Sequence, residues 1–412
     1  MRGMEFDGST PVVQLSLGDD RLGHGPLALA RSLGRLGVEF HAVQPAHVGP
    51  LARSRYLRGA TRLPIPLTSR QVVEALVDVA ELGERRPVLI PTDDLSCLVV
   101  ADHADVLRDW YRFPEQPPGL ARKLADKEHM HELARQLGLP TARTSFPKSP
   151  ENLAGFLEDA RFPVVVKSIR GYNAAKRSGP RMAIVSDPAQ LRAAYDAFQE
   201  PHEPNVLFQE YIPGGPEAVW MFNGYFDREG HCRFGLTGRK LRQHPAYSGM
   251  CSLGILEANP TVEELTERLA SETGYRGIID VDLCFDRRDG RYKLVDVNPR
   301  IGSSFRLFAA DGGMDVARAL YLDLTGQPVP SEAPAAGRRW LVETHDPVSC
   351  LRYWRDGRLT LGRWAGSLRG IRELAWFSRD DPAPFLSVCA RLPRLAVRML
   401  LRRLRTALQR RR

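Results

Sequence analysis

No stretch of this chain approaches the roughly 18 unbroken apolar residues of a membrane span. Met1 to Thr10 hold no apolar run of the kind a secretory leader carries. Only six cysteines occur (Cys97, Cys232, Cys251, Cys284, Cys350 and Cys389), scattered, with no CxxC pair and no histidine at metal-ligand spacing. That argues against a disulfide scaffold or a zinc module and for a reduced, cytoplasmic protein with buried thiols. GxxxxGK[ST], HExxH and GxSxG are all missing, so any nucleotide chemistry needs a scaffold other than the P-loop. The N-terminal glycines depart from GxGxxG, which favours a tight turn over a dinucleotide site. No internal repeat is present.

What the chain has in excess is arginine at one end. Residues 391–412 contain nine arginines and no acid, which leaves 49 basic and 49 acidic residues in the rest. The net charge of +9 therefore belongs to a tail on a neutral body, a pattern of local attachment rather than general nucleic-acid affinity. At 412 residues, 43% apolar and 26% charged, the chain suits a globular protein of two or three domains.

Pro11 to Leu17 reads as a buried strand, followed by the glycine-bearing turn Gly18 to Gly25, a helix over Leu27 to Leu36 and a second strand, Val38 to Val43. This βαβ unit predicts a parallel sheet at the start. Val88 to Pro91 is a further strand that delivers Thr92, Asp93 and Asp94 at its carboxyl end, where open sheets bind ligands. The proline-rich run Phe113 to Gly119 marks a linker. Beyond it come a helix over 120–138, strands at 162–168, 182–185, 205–212, 219–226, 232–237, 278–285 and 292–297, and a Pro/Ala-rich connector at 330–337. The expected organisation is an α/β Rossmann-like domain over 1–118, an α+β domain over 119–330, and a C-terminal extension over 331–412.

The chemistry concentrates in the pair of strands around the turn Asp289-Gly290. Residues two apart in a strand share a face, so Asp296 and Asn298 point the same way and Asp282 can face them from the partner strand. Two carboxylates and an amide oxygen make a hard-oxygen site suited to Mg²⁺ (or Mn²⁺) carrying phosphates. Arg300 follows on that face and would supply positive charge during phosphoryl transfer. Valine and leucine interleave, so the opposite face is expected to be buried. Lys127 heads a helix, and Lys167 ends the β-branched run Val164-Val-Val ahead of a glycine-bounded polar loop, a combination suited to neutralising phosphates.

Taken in order, these motifs resemble the ATP-grasp superfamily. The resemblance implies that Lys127 and Lys167 bind ATP phosphates and that Ser168 to Pro180 forms a mobile lid. It implies that Glu210 and Ile212, in Gln209-Glu-Tyr-Ile-Pro-Gly214, hold adenine at a hinge, and that Glu217 binds ribose. Asp282, Asp296 and Asn298 fall at the metal-ligand positions and Arg300 at the arginine of the Asn-x-Arg ending, with aspartate where the family more often has glutamate. Lys167 and Arg300 would be the catalytic pair. Phe222 to Asp227 and Thr237 to Pro245 resemble the bacterial carboxylate–amine ligase subgroup, the D-aspartate ligase-like proteins. That implies an ATP-dependent C–N ligase acting through an acyl phosphate on small-molecule or peptide carboxylates and amines. It calls for no specific nucleic acid and leaves a homodimer open.

Arg239, Lys240 and Arg242 form a basic cluster on a segment expected to face the cleft and suited to holding a carboxylate; Arg239, Arg242 and Arg306 are the candidate substrate residues, each as easily structural. In the tail, apolar residues from Leu395 to Leu408 recur at helical spacing beside arginines. Such a helix suits an anionic membrane surface, the protein's own body or an acidic partner. Two other readings stay open: a catalytically silent ATP-binding module, and a grasp enzyme modifying a protein recruited by the tail.

Overall fold

The computed structural model describes residues 6–18, 23–45, 49–64, 68–170, 182–199 and 204–391. The centre of the N-terminal glycine turn, the lid expected at 168–180 (from residue 171 on) and the tail beyond Arg391 lie outside them.

The N-terminal unit alternates strands and helices: β1 (Val12–Leu15), α1 (Gly25–Gly34), β2 (Phe40–Pro45), β3 (Gly59–Leu63), α2 (Ser69–Glu81), β4 (Val88–Pro91), α3 (Asp94–Asp102) and α4 (Ala104–Leu107). Its four strands are parallel in the order β3-β2-β1-β4, the Rossmann-like arrangement expected from the opening βαβ unit. Asp93 caps α3 by accepting from Ser96 N (2.9 Å), and its second oxygen accepts from Leu17 N (2.7 Å) and Gly18 N (3.0 Å). One carboxylate thereby ties the carboxyl ends of β1 and β4 together.

Next come α5 (Leu120–Ala125), α6 (Lys127–Gln136), β5 (Thr144–Ser145), α7 (Pro150–Glu158), β6 (Val164–Ser168), β7 (Met182–Val185), α8 (Pro188–Phe198) and β8 (Val206–Glu210). The single helix expected over 120–138 is two. Asp126 leaves the helical region (φ −91°, ψ 121°) and accepts from Glu128 N and His129 N, an N-cap that restarts the helix at Lys127. The strands form an antiparallel sheet, β5-β8-β6-β7.

The remaining elements are β9 (Val219–Phe226), β10 (Cys232–His244), β11 (Met250–Leu256), α9 (Pro260–Thr273), β12 (Gly277–Asp286), β13 (Arg291–Asn298), α10 (Val316–Leu324), β14 (Arg339–Leu341), α11 (Asp346–Arg355), α12 (Leu361–Ser367) and β15 (Ile371–Leu374). Seven strands join in the order β13-β12-β9-β10-β11-β14-β15. Residues after 330 thus continue the central sheet. Trp340 and Trp376, both fully buried, share one core with Leu27, Leu29 and Phe40 of the N-terminal unit and Phe305 to Phe308.

Candidate active site

The β12–β13 hairpin pairs Asp280 with Asn298 and Asp282 with Asp296, and shifts register immediately after Asp282. Val281 and Val297, between them, are buried on the other face against Leu269, Tyr275 and Leu294. That alternation presents the polar set to the cleft. Gly290, at φ +69°, makes the turn. Gly302 is required by close approach, because a Cβ there would collide with the Asp280 carboxylate.

Three lysines meet these acids from three elements. Lys127, first residue of α6, pairs through Nζ with Asp296 Oδ1. Lys240 of β10, nearly buried, donates to Asp282 Oδ2 at 2.6 Å. Lys167, at the end of β6, donates to Gln209 Oε1 at 2.9 Å and senses Asp296 and Asp282. Burial opposes the charge on Lys127 and Lys240, but Asp296 and Asp282 more than compensate and hold both above the ordinary lysine value. Lys167 has no such partner, so burial and the neighbouring charge of Lys127 bring it down to about 8. Burial would raise Asp296, yet Lys127 and Lys167 keep it below the usual carboxylate range. Burial and the charge of Asp282 push Asp280 up to about 7.

Arg300 closes the cleft against the N-terminal unit. Its Nε donates to Asp94 Oδ1 (2.6 Å) and its Nη2 to Asn298 Oδ1 (3.3 Å). Burial works against its charge, and Asp94 with Asp280 overcomes that and raises its pKa. The candidate residues Lys127, Lys167, Asp282, Asp296, Asn298 and Arg300 therefore converge, with Asp94, Asp280 and Lys240 beside them. Sequence reasoning did not enlist those last three. Asp94 and Asp280 sat in stretches already noted, and Lys240 was grouped with its arginine neighbours.

Glu210 ends β8. Its side chain accepts from Arg143 N (2.9 Å), Arg288 Nη2 (2.9 Å) and Lys293 Nζ (3.1 Å), which keep it ionised despite partial burial. Those donors occupy the Glu210 carboxylate. Ile212 lies in a small apolar cluster with Ala142, Ala218 and Cys284, and the Cys284 thiol feels the charge of Lys167. The apolar cluster thus lies next to Lys167. Glu217 is exposed beside this cluster.

The three arginines considered for substrate do not join the cleft. A bulge in β10, where Lys240 pairs with Gly254 and Arg242 with Leu253, turns their side chains apart. Arg239 pairs with Glu257 (2.9 Å) and lies over the Trp220 ring. Arg242 is buried with Asp346, through Nε (2.7 Å) and Nη2 (2.8 Å). Arg306 is buried between Asp315 and Glu373. Arg242 and Arg306 are already fully coordinated inside the protein, which corrects their assignment to substrate.

The acids fit a hard divalent cation in chemistry. Mg²⁺ needs only one or two carboxylates when phosphates complete its shell; Asp282 pairs with Asp296, and Asn298 lies two residues beyond Asp296 on the same strand. Among the described residues no group of three or more His, Cys, Asp or Glu forms a metal cage by itself.

No protein-family model matches the chain. D-aspartate ligase of Enterococcus faecium (strain Aus0004) is 22% identical over 246 residues, which are 57% of this chain and 58% of that protein. Among solved structures, N5-carboxyaminoimidazole synthetase from Staphylococcus aureus complexed with ADP superposes with a TM-score of 0.60 at 14% identity, over 81% of this chain and 82% of that one. An L-amino acid ligase from Bacillus licheniformis gives 0.58 at 15% identity, over 80% and 76%. The chain has the ATP-grasp fold. It spans about half of the length of the first curated relatives it matches.

Proposed function

We propose that the protein is an ATP-dependent carboxylate–amine ligase, forming an amide through an acyl phosphate and releasing ADP and phosphate. The observation that supports this most is the convergence of Lys127, Lys167 and Lys240, from three elements of the fold, on Asp282 and Asp296, with Arg300 beside them on Asn298 and Asp94. Similarity to a D-aspartate ligase and an L-amino acid ligase points the same way, and the ADP held by a structural neighbour supports nucleotide use.

In this reading, the backbone at Glu210 and Ile212 holds adenine, Glu217 the ribose, and Lys127 and Lys167 the phosphates. Asp282, Asp296 and Asn298 would hold Mg²⁺, which when bound supplies charge neutralisation for the phosphates. A substrate carboxylate oxygen attacks the γ-phosphorus and the bond to ADP breaks. An amine nitrogen then attacks the acyl carbon, the C–O bond to phosphate breaks, and the nitrogen gives up its proton. Phosphoryl transfer asks chiefly for positioning and charge, which is what these side chains offer. Arg300, held by Asp94, is placed to meet the negative charge that develops on the transferring group.

The test is phosphate release from ATP and Mg²⁺ over a matrix of carboxylates and amines, with Lys127→Ala as the control. Release that needs both substrates and falls at least ~100-fold in the variant supports the ligase. ATP binding with no pair stimulating release favours the silent module.

A further inference from the structure

α11 is packed in the reverse of the usual sense. Its inward residues are Asp346, Ser349 and Tyr353. Asp346 takes the fork of Arg242, and Ser349 Oγ lies 3.1 Å from His244 Nδ1. Tyr353 Oη accepts from Gln243 N (3.4 Å) and Tyr247 N (3.1 Å). Facing solvent are Val348, Leu351 and Trp354, 58, 43 and 61% exposed. A surface helix ordinarily turns its apolar stripe inward and its polar face out.

α12 continues the pattern. It buries no residue, and it exposes Leu361 and Trp364. The two helices adjoin: Ser367 Oγ accepts from the same Arg242 that binds Asp346, and Trp364 reaches Cys350. Five of the ten large apolar side chains exposed among the described residues lie on these two adjoining helices, a concentration that marks an interaction surface. From 347 to 369 five arginines (352, 355, 358, 363 and 369) accompany one acid, Asp356, which Arg352 engages at 2.8 Å. Arg355, Arg363 and Arg369 are exposed and make no salt bridge among the described residues.

We propose that the surface from Val348 to Arg369 seats the protein on an anionic lipid bilayer. Exposed indoles belong at the headgroup boundary, where an amphipathic ring has both an apolar and a wet side. Arginines around them meet anionic headgroups. An apolar face with no core beneath it gains most from shallow insertion. The inference is independent of the ligase reading and of the membrane contact expected at 391–412.

Tryptophan fluorescence separates this surface from the tail. All six tryptophans lie at or before residue 376, so emission reports on the body alone. The full chain is mixed with phosphatidylglycerol–phosphatidylcholine vesicles whose acyl chains are brominated. The expected result is quenching by the anionic vesicles and none by pure phosphatidylcholine. Trp354→Phe/Trp364→Phe should abolish most of the quenching, and Arg355→Glu/Arg363→Glu should weaken vesicle affinity at least ~10-fold. Unchanged thermal melting shows that the variants are folded. Sedimentation with vesicles but no quenching assigns binding to the tail and overturns the proposal. Quenching that survives the double Phe variant, or occurs equally with neutral vesicles, also overturns it, as does no binding at all.

Discussion

Replacing Arg242 by methionine separates a structural arginine from a substrate-binding one. The Arg242 fork meets Asp346 at 2.7 and 2.8 Å, and the two side chains are only 5 and 4% exposed. Methionine fills most of the volume but leaves Asp346 buried without its counter-charge. Asp346 keeps only Ser252 Oγ (3.2 Å) and Cys350 Sγ (3.3 Å) as donors. Removing one partner of such a pair costs about 3–5 kcal/mol, because the orphaned charge stays desolvated. The loss should be local to β10, α11 and α12, since Ser367 hangs on the same guanidinium (2.7 Å). Urea unfolding followed by the emission of Trp340 and Trp376 would read it, with Arg242→Met/Asp346→Asn as the second arm. Neutralising both residues should restore about half of the loss or more, since no buried charge then remains. A single variant within about 1 kcal/mol of the parent, with a raised KM for a carboxylate substrate, would refute the structural assignment.

Three further outcomes follow from the same charge arrangement. Lys167, at about 8, should lose its proton as pH rises past that value; ATP binding should weaken above pH 8 and take up a proton there, measurable by calorimetry in two buffers, and Lys167→Arg should remove the dependence. Glu373, held by Arg306 (2.8 Å) and Arg338 (2.6 Å), has its pKa brought from 4.5 down to about 2 against the opposing effect of burial. A depressed carboxylate stabilises above its unfolded pKa, so Glu373→Gln should cost about 3 kcal/mol at neutral pH, a gap that narrows in denaturant titrations between pH 4.5 and 2. Asp94→Asn removes the charge that positions Arg300 from the N-terminal unit, and should lower kcat about 10-fold or more while the affinity for ATP, read by equilibrium binding, changes little.

The legible part of the site was the part written in local alternation. Asp280-Val-Asp282 opposite Asp296-Val-Asn298 could be faced correctly from period two alone, since the intervening valines had to be buried. The break at Asp126 was half legible, since Lys127 could be read as heading a helix within a run that is helical over 120–138; the aspartate ends the first helix by accepting from Glu128 N and His129 N of the next. The basic run Arg239 to Arg242 looked like one surface because a bulge leaves no mark in a sequence. One inserted residue sends Lys240 to Asp282 and Arg242 to Asp346. The Asp94–Arg300 pair spans 206 positions, and nothing local at either end announces the other. Three strand residues around Trp340 were too short a run to show a period, so the sheet's last two strands passed as an extension.

The ion pairs seen in the cleft do not argue against its use for nucleotide. In each of the pairs Lys127–Asp296 and Lys240–Asp282 the aspartate is partly exposed (31 and 22%), so each carboxylate can exchange its partner at modest cost. Fully buried pairs, such as Arg242 with Asp346, cannot. A phosphate arriving with a divalent cation brings a new partner for each member, negative charge for the lysine and positive for the aspartate. The pairs then divide without stranding a charge. Lys167 differs in donating to an amide, Gln209, and burial with the neighbouring charge of Lys127 depresses its pKa where those of Lys127 and Lys240 are raised. Anion binding should therefore restore that pKa toward the ordinary lysine value. A Lys167 whose titration is unmoved by saturating ATP would place the phosphates elsewhere, and with them the whole nucleotide assignment.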